Sequence, residues 1–197
     1  ASSVDHPKPG EITVDESFQP AASTKAIAGF KAYGGNWQAN GGVLSVGAEA
    51  GPKLLADTLE VSVGTVGVEI WLGNRRAGNA GLIVKVSQPD VGADRFNGYE
   101  IALDASSQAL RLGKHRQNFE LIRDVPCRVP TNEWIPVVAR LTENSIEVLV
   151  NGRSVLRHED KEHPLRNGGV GLRPWQREAR YRDLWVQTSG PRRSLPF

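Results

Sequence analysis

Residues 173–177, Arg-Pro-Trp-Gln-Arg, set an indole between two guanidinium groups, and Glu178 follows. A planar aromatic beside fixed forks of donors and acceptors suits a ligand that presents paired hydroxyls on a weakly apolar ring. Val170 and Leu172 share one face of the preceding strand, so Gly171, Arg173 and Trp175 belong to the other. Pro174 lacks an N–H and fits a strand end or bulge, and Trp175 folding back over the core is the competing placement. Glu100 and Asp104 stand at even spacing in NGYEIALD and therefore share a face. Such a pair can exchange protons with a substrate or accept hydrogen bonds from a ligand.

These residues need strands to position them. VGVEIWL (66–72), GLIVKVS (81–87), GYEIALD (98–104), ALRLGKH (109–115) and FELIRDV (119–125) read as strands. So do 134–142, 145–159, 168–175 and 179–187, with turn residues between the runs. Asn151-Gly152 is the strongest hairpin signal, because type I′ turns need positive φ at both central positions. Asn144-Ser145 and Asn97-Gly98 mark two further turns. The stretch LLADTLEVSVG (54–64) is ambiguous between helix and strand, and its β-branched second half favours strand. The fold class predicted is all-β, an antiparallel two-sheet β-sandwich over residues 11–188, with tails at 1–10 and 189–197. Trp71 and Trp134 sit in apolar runs and are expected in the core, while Trp37 and Trp185 are left open.

The 197 residues suffice for one domain of this kind, and the net charge of +2 gives little attraction to nucleic acid. Arg75-Arg76 and Arg192-Arg193 are isolated pairs, and no apolar run is long enough to span a bilayer. A single cysteine, Cys127, excludes an internal disulfide framework. The chain begins at Ala1 and contains no methionine, which fits a trimmed mature protein or an excised piece of a longer one. Export to a secreted, cell-surface or periplasmic location is the expectation that follows.

The order of motifs resembles concanavalin A-like and laminin-G-like sandwich modules. Trp37 with GGVLSV (41–46) is similar to their opening, and EWIPVVARLTENSIEVLVNGRSV (133–155) to the hairpin of laminin-G-like domains. GNAGLIVKV (78–86) resembles a segment of the 3-keto-disaccharide hydrolase domain family. FNGYEIALD (96–104) resembles a strand shared by those domains and family 66 carbohydrate-binding modules, and 168–186 resembles their closing strand pair. The likeness spans roughly 15–187. It implies a concanavalin A-like jelly roll and a carbohydrate partner. Lys85 stands where family 66 modules place a ligand-binding arginine, and residues 87–96 lengthen the loop before Asn97.

With that resemblance, the expected ligand-binding set is Lys85, Asp94, Arg95, Asn97, Glu100, Arg111, Lys114, His115, Arg173, Trp175 and Gln176. Together they suggest a cation-rich pocket for a terminal sugar or an acidic or sulphated glycan. No cofactor is required. A structural calcium, which related sandwiches hold between their first and last strands, would use Asp15, Glu16 and Asp183.

Retaining glycoside hydrolysis on related jelly rolls uses carboxylates two and three residues apart on one strand. The run from His158 to His163 lacks that spacing, and its histidines are also wrongly spaced for a helical zinc site. The reading is a non-catalytic, monomeric carbohydrate-binding module tethered to a glycan-degrading enzyme. Its alternatives are a glycoside hydrolase-type enzyme and a laminin-G-like protein-interaction domain.

Overall fold

A computed structural model describes residues 26–74 and 77–197. Among the described residues the chain forms fifteen strands and no helix. In chain order they begin with β1 (Phe30–Tyr33), β2 (Gln38–Asn40), β3 (Val43–Val46), β4 (Lys53–Ala56) and β5 (Gly64–Leu72). Next come β6 (Asn79–Ser87), β7 (Asn97–Asp104), β8 (Ala109–Arg116), β9 (Phe119–Pro126) and β10 (Trp134–Leu141). The last are β11 (Ser145–Val150), β12 (Arg153–Glu159), β13 (Gly169–Trp175), β14 (Ala179–Gln187) and β15 (Arg193–Ser194). Two antiparallel sheets result, ordered β1-β4-β13-β6-β7-β8-β9 and β12-β11-β10-β5-β14-β3-β2, with β15 beside β14. This is a concanavalin A-like jelly roll.

Alternation along each strand builds the core. Leu82, Val84, Tyr99, Ile101, Leu103, Leu110, Leu112, Val170 and Leu172 point inward from the first sheet. Val66, Val68, Ile70, Leu72, Ile135, Val137, Ala139 and Tyr181 meet them from the second. The Asn151-Gly152 hairpin has φ of +50° and +76°, as its turn type requires. Trp37 is fully buried, and its Nε1 donates to the Gly34 carbonyl at 2.9 Å.

Several expectations change. In the 54–64 region only the last residues of β4 and Gly64, which opens β5, are strand, and Asn97-Gly98 opens β7 instead of forming a turn. Trp71 and Trp134 face outward, because Ile70 and Leu72 take the core positions around Trp71. Arg180 lies 4.3 Å over the Trp71 ring, Arg182 4.2 Å over Trp134 and Arg192 3.9 Å over Trp185. Half-buried indoles thus keep one face occupied by a weakly hydrated cation. The segment expected as a C-terminal tail folds back: Ser194 pairs with Trp185, and the Phe197 ring lies 5.2 Å from Phe30.

Candidate functional site

The outer face of the first sheet carries the polar residues. Parity survives Pro174, which pairs with Ala80 inside β13, so Arg173 and Trp175 both point outward. β4 reaches only as far as Leu172 along that flank, where the Gln176 N–H donates to the Glu49 carbonyl. Proline is tolerated there because its missing N–H faces a flank with no ladder.

Across the sheet, strand register places Arg173, Gly81, Ala102, Arg111 and Asp124 in one row. Gly81 and Ala102 raise nothing larger than a methyl between the two arginines, so a hollow remains. Gly81 is required by close approach, since a Cβ there would stand 2.0 Å from the Ile101 carbonyl oxygen. The hollow has a volume of about 210 Å³ and is lined by Asn79, Asp94, Glu100, Arg111, Phe119, Arg173 and Trp175.

Its inner wall is a charged cluster. Arg173 Nη1 donates to both Glu100 oxygens at 2.8 Å. Its Nε and Nη2 donate to the Ala93 carbonyl at 3.2 and 3.0 Å, and Nη2 also meets Asp94 Oδ1 at 3.3 Å. One His115 ring nitrogen contacts Glu100 Oε2 at 2.6 Å, and the other stands 3.5 Å from Asp94. The His115 ring is stacked on Phe96 at 4.1 Å and flanked by Phe119. Burial alone would push the Glu100 carboxyl up. The Arg173 charge and the His115 hydrogen bond outweigh it and hold Glu100 below the usual carboxylate range.

The lengthened 87–96 loop supplies the other part of this wall. Lys53 reaches it from β4, donating to the Gly92 carbonyl at 2.6 Å above the Phe96 ring. Burial, helped by the Arg173 charge, brings the Lys53 ammonium down to about 8 against the pull of Asp94, Asp90 and Glu100. Arg111 closes the opposite side, gripping Asp124 through Nε and Nη2 at 2.9 and 3.0 Å.

Five expected residues lie elsewhere. Lys85 is buried with φ of +54° at a break in register between Val84 and Ser87. The bulge re-aims its Nζ to the Thr142 and Glu143 carbonyls of the β10–β11 turn. Lys114 is on the core-facing side of β8, where its Nζ meets Asp160 at 2.5 Å and the carbonyls of Glu162 and His163. Asn97 closes its own loop onto Gln88 and Ser87, Arg95 is exposed beside Asp90, and Gln176 is an exposed turn residue with φ of +51°. The remaining six converge: Asp94, Glu100, Arg111, Arg173 and Trp175 line the hollow, and His115 backs Glu100.

Asn79, Phe119 and Lys53 were not anticipated. Asn79 follows Trp175 by register, and Phe119 lies over Gly113. Arg177 is also buried, binding the Gly73 and Gly78 carbonyls and Ser106 beneath the end of β13. Asp15 and Glu16 lie outside the described residues. Asp183 is exposed on the second sheet, its carboxyl pushed up by a hydrogen bond with Glu69, which Arg182 holds at 2.7 Å. Among the described residues no group of three or more His, Cys, Asp or Glu side chains is arranged to hold a metal, and no helix is long and apolar enough to cross a membrane.

Lys85→Ala tests this placement. It removes a buried side chain and the charged donor to the Thr142 and Glu143 carbonyls, so it is expected to cost about 1–3 kcal/mol of stability in urea unfolding. Binding of ligand in the distant hollow should not change, and weakened binding in a still-folded variant would count against the assignment.

Solved structures share this fold. A family 66 carbohydrate-binding module from Bacillus subtilis superposes with a TM-score of 0.70 at 16% identity, covering 79% of this chain and 93% of that one. A Bacillus subtilis protein with a galectin-like fold gives 0.66 at 16%, covering 81% and 89%. A beta-1,3-1,4-glucanase (lichenase) from a mouse hindgut metagenome gives 0.62 at 12%, covering 83% and 94%. No curated protein matches the sequence. The 3-keto-alpha-glucoside-1,2-lyase-like domain family matches residues 18–187, most of the chain, and the protein belongs to that family.

Proposed function

We propose that this domain binds carbohydrate without transforming it, seating one uncharged sugar residue in the hollow between Trp175 and Arg111. The observation that carries the reading is how the charges around the hollow are already committed. Every N–H of the Arg173 guanidinium has a protein acceptor, and Arg111 grips Asp124 bidentately. What faces the hollow is therefore mainly acceptor: the Asp94 carboxylate, the outer lone pairs of Glu100 and the nearby Asp104, with Arg111 Nη1 as donor. Sugar hydroxyls suit such acceptors, and the Trp175 face suits the apolar side of a sugar ring. An acidic or sulphated glycan would meet carboxylates and guanidinium groups already paired with carboxylates, so a neutral glycan fits better than the cation-pocket expectation.

Glu100 is ill suited to proton transfer. The Arg173 charge and the His115 hydrogen bond favour its ionised form, and both of its oxygens are engaged by these partners, which suits a fixed acceptor better than a proton carrier. The same reading makes the domain a monomeric module tethered to a polysaccharide-degrading enzyme outside the cytoplasm, a setting supported by the glycan-related proteins that share its fold.

Calorimetry against soluble glucan, mannan, galactan and fructan tests this. At least one is expected to bind. Trp175→Ala should weaken that binding by about tenfold or more, roughly 1.4 kcal/mol, without lowering the melting temperature. A folded domain that binds none of the four sinks the reading.

Family membership favours a second reading, an enzyme that cleaves 3-keto-α-glucosides. Sugar release from such a substrate that vanishes in Glu100→Gln would establish it over the first.

A further inference from the structure

The hollow is closed at one end and open at the other. Glu100 and Arg173 side chains are 2% and 4% exposed, whereas Arg111 is 26% and Asp124 37% exposed. Beyond Arg111 the outer face continues onto edge strand β9, where Phe119 and Leu121 are 40% and 50% exposed. Two local devices build this continuation. Gly113 leaves room for Phe119, since a Cβ there would stand 2.3 Å from the ring. The register between β8 and β9 also breaks at Leu112/Gly113.

In an unbroken strand, outward Leu121 would be followed by outward Arg123, with Asp124 turned inward. The extra residue reverses that parity. Ile122 and Val125 pack on the core, and Asp124 comes out opposite Arg111 with both carboxylate oxygens bonded. Arg111 Nη1 also stands 3.6 Å from Asp104 Oδ2. A fork of one cation and two carboxylates thus borders a shallow apolar floor on an otherwise solvated edge.

We propose that Arg111, Asp124 and Phe119 form a second subsite, which takes the next residue of a neutral oligosaccharide whose terminal residue fills the hollow. This rests on the carbohydrate-binding reading above and adds polarity: the chain end is buried against Glu100 and Arg173, and the chain leaves over β9. From β13 to β9 there are four strand spacings, on the order of 19 Å, which exceeds the length of a single sugar ring. Phe119 offers a ring face, and the Arg111–Asp124 fork offers a donor and an acceptor to adjacent hydroxyls.

The probes are methyl glycosides of glucose, galactose, mannose and fructose, and the di- and trisaccharides of each series, titrated calorimetrically into the whole chain. In a series that binds, the disaccharide is expected to bind about tenfold more tightly than the methyl glycoside. Asp124→Ala should abolish that gain while leaving methyl glycoside affinity within about twofold. Phe119→Ala and Gly113→Ala, which displaces the ring, act on a side chain that also lines the hollow, so they should weaken both ligands and the disaccharide more. Equal affinity for both lengths, or equal weakening of both in Asp124→Ala, overturns the second subsite and leaves the hollow as a binding site. No binding of any probe by the folded wild type overturns both.

Discussion

Arg173→Ala is expected to lower stability by about 3–5 kcal/mol and to abolish sugar binding. The stability loss is large because the substitution leaves a charge behind. Glu100 is buried, and its ionised state is stabilised mainly by the guanidinium across from it. Without Arg173 it must either stay charged beside His115 alone or take up a proton, and each costs free energy at neutral pH. The Ala93 carbonyl and Asp94 lose their donor as well, so the loop that walls the hollow is released.

Arg173→Lys is not a rescue. An ammonium cannot span Glu100, Ala93 and Asp94 at once, since those contacts use the planar fork. Pairing Arg173→Met with Glu100→Gln should recover part of the stability, because Glu100 is no longer left as an unpaired buried charge, but none of the binding. Urea unfolding of the three variants separates these outcomes. A loss below about 1 kcal/mol for Arg173→Ala would mean that the ion pair is not what holds this wall.

The sheets were legible because strand alternation is local. VGVEIWL, GYEIALD and SIEVLV each announce which residues face in, and the turn residues between them bound the strands. The same parity contained corrections that composition obscured. Trp71 is out of phase with Ile70 and Leu72, and Lys114 is out of phase with Arg111 and His115, so each belongs to the face opposite the one expected. Reading an apolar run as core, or neighbouring cations as one cluster, overrode that signal.

Other parts of the site had no local signal. Lys85 follows parity only up to the bulge that re-aims it, and a bulge is a property of two paired strands. Asp124 meets Arg111 for the same reason. Lys53 enters through pairing between strands far apart in sequence, and its carbonyl partner comes from the 87–96 loop. The count of arginines and lysines says nothing of their partners, so their pairing had no local signal. Most of these cations are held in place by carboxylates or carbonyls.

Lys114→Met should cost about 3–5 kcal/mol at pH 7, and much of that cost should disappear toward pH 3. Asp160 is the reason. It is buried at the end of β12, and its Oδ2 takes hydrogen bonds of 2.5 Å from Lys114 Nζ and from the Tyr99 hydroxyl. The Leu165 N–H donates in turn to the Tyr99 oxygen, so the cluster pins residues 160–165 against the first sheet. Burial alone would push the Asp160 carboxyl up, but Lys114 and Tyr99 hold it below its ordinary 3.8. A depressed carboxylate stabilises the fold above its unfolded value and loses that contribution as pH falls through its folded value. Wild-type stability should therefore fall on the acid side, with Glu100 adding to the loss in the same direction. In Lys114→Met the cation is gone, Asp160 shifts upward, and protonation relieves the variant where it harms the wild type. A residual difference should persist at pH 3, because the Glu162 and His163 carbonyls lose a donor that does not depend on pH in this range. Urea unfolding of both proteins from pH 3 to pH 7 measures the gap, and a gap constant across that range would remove Asp160 ionisation as the source of the stability.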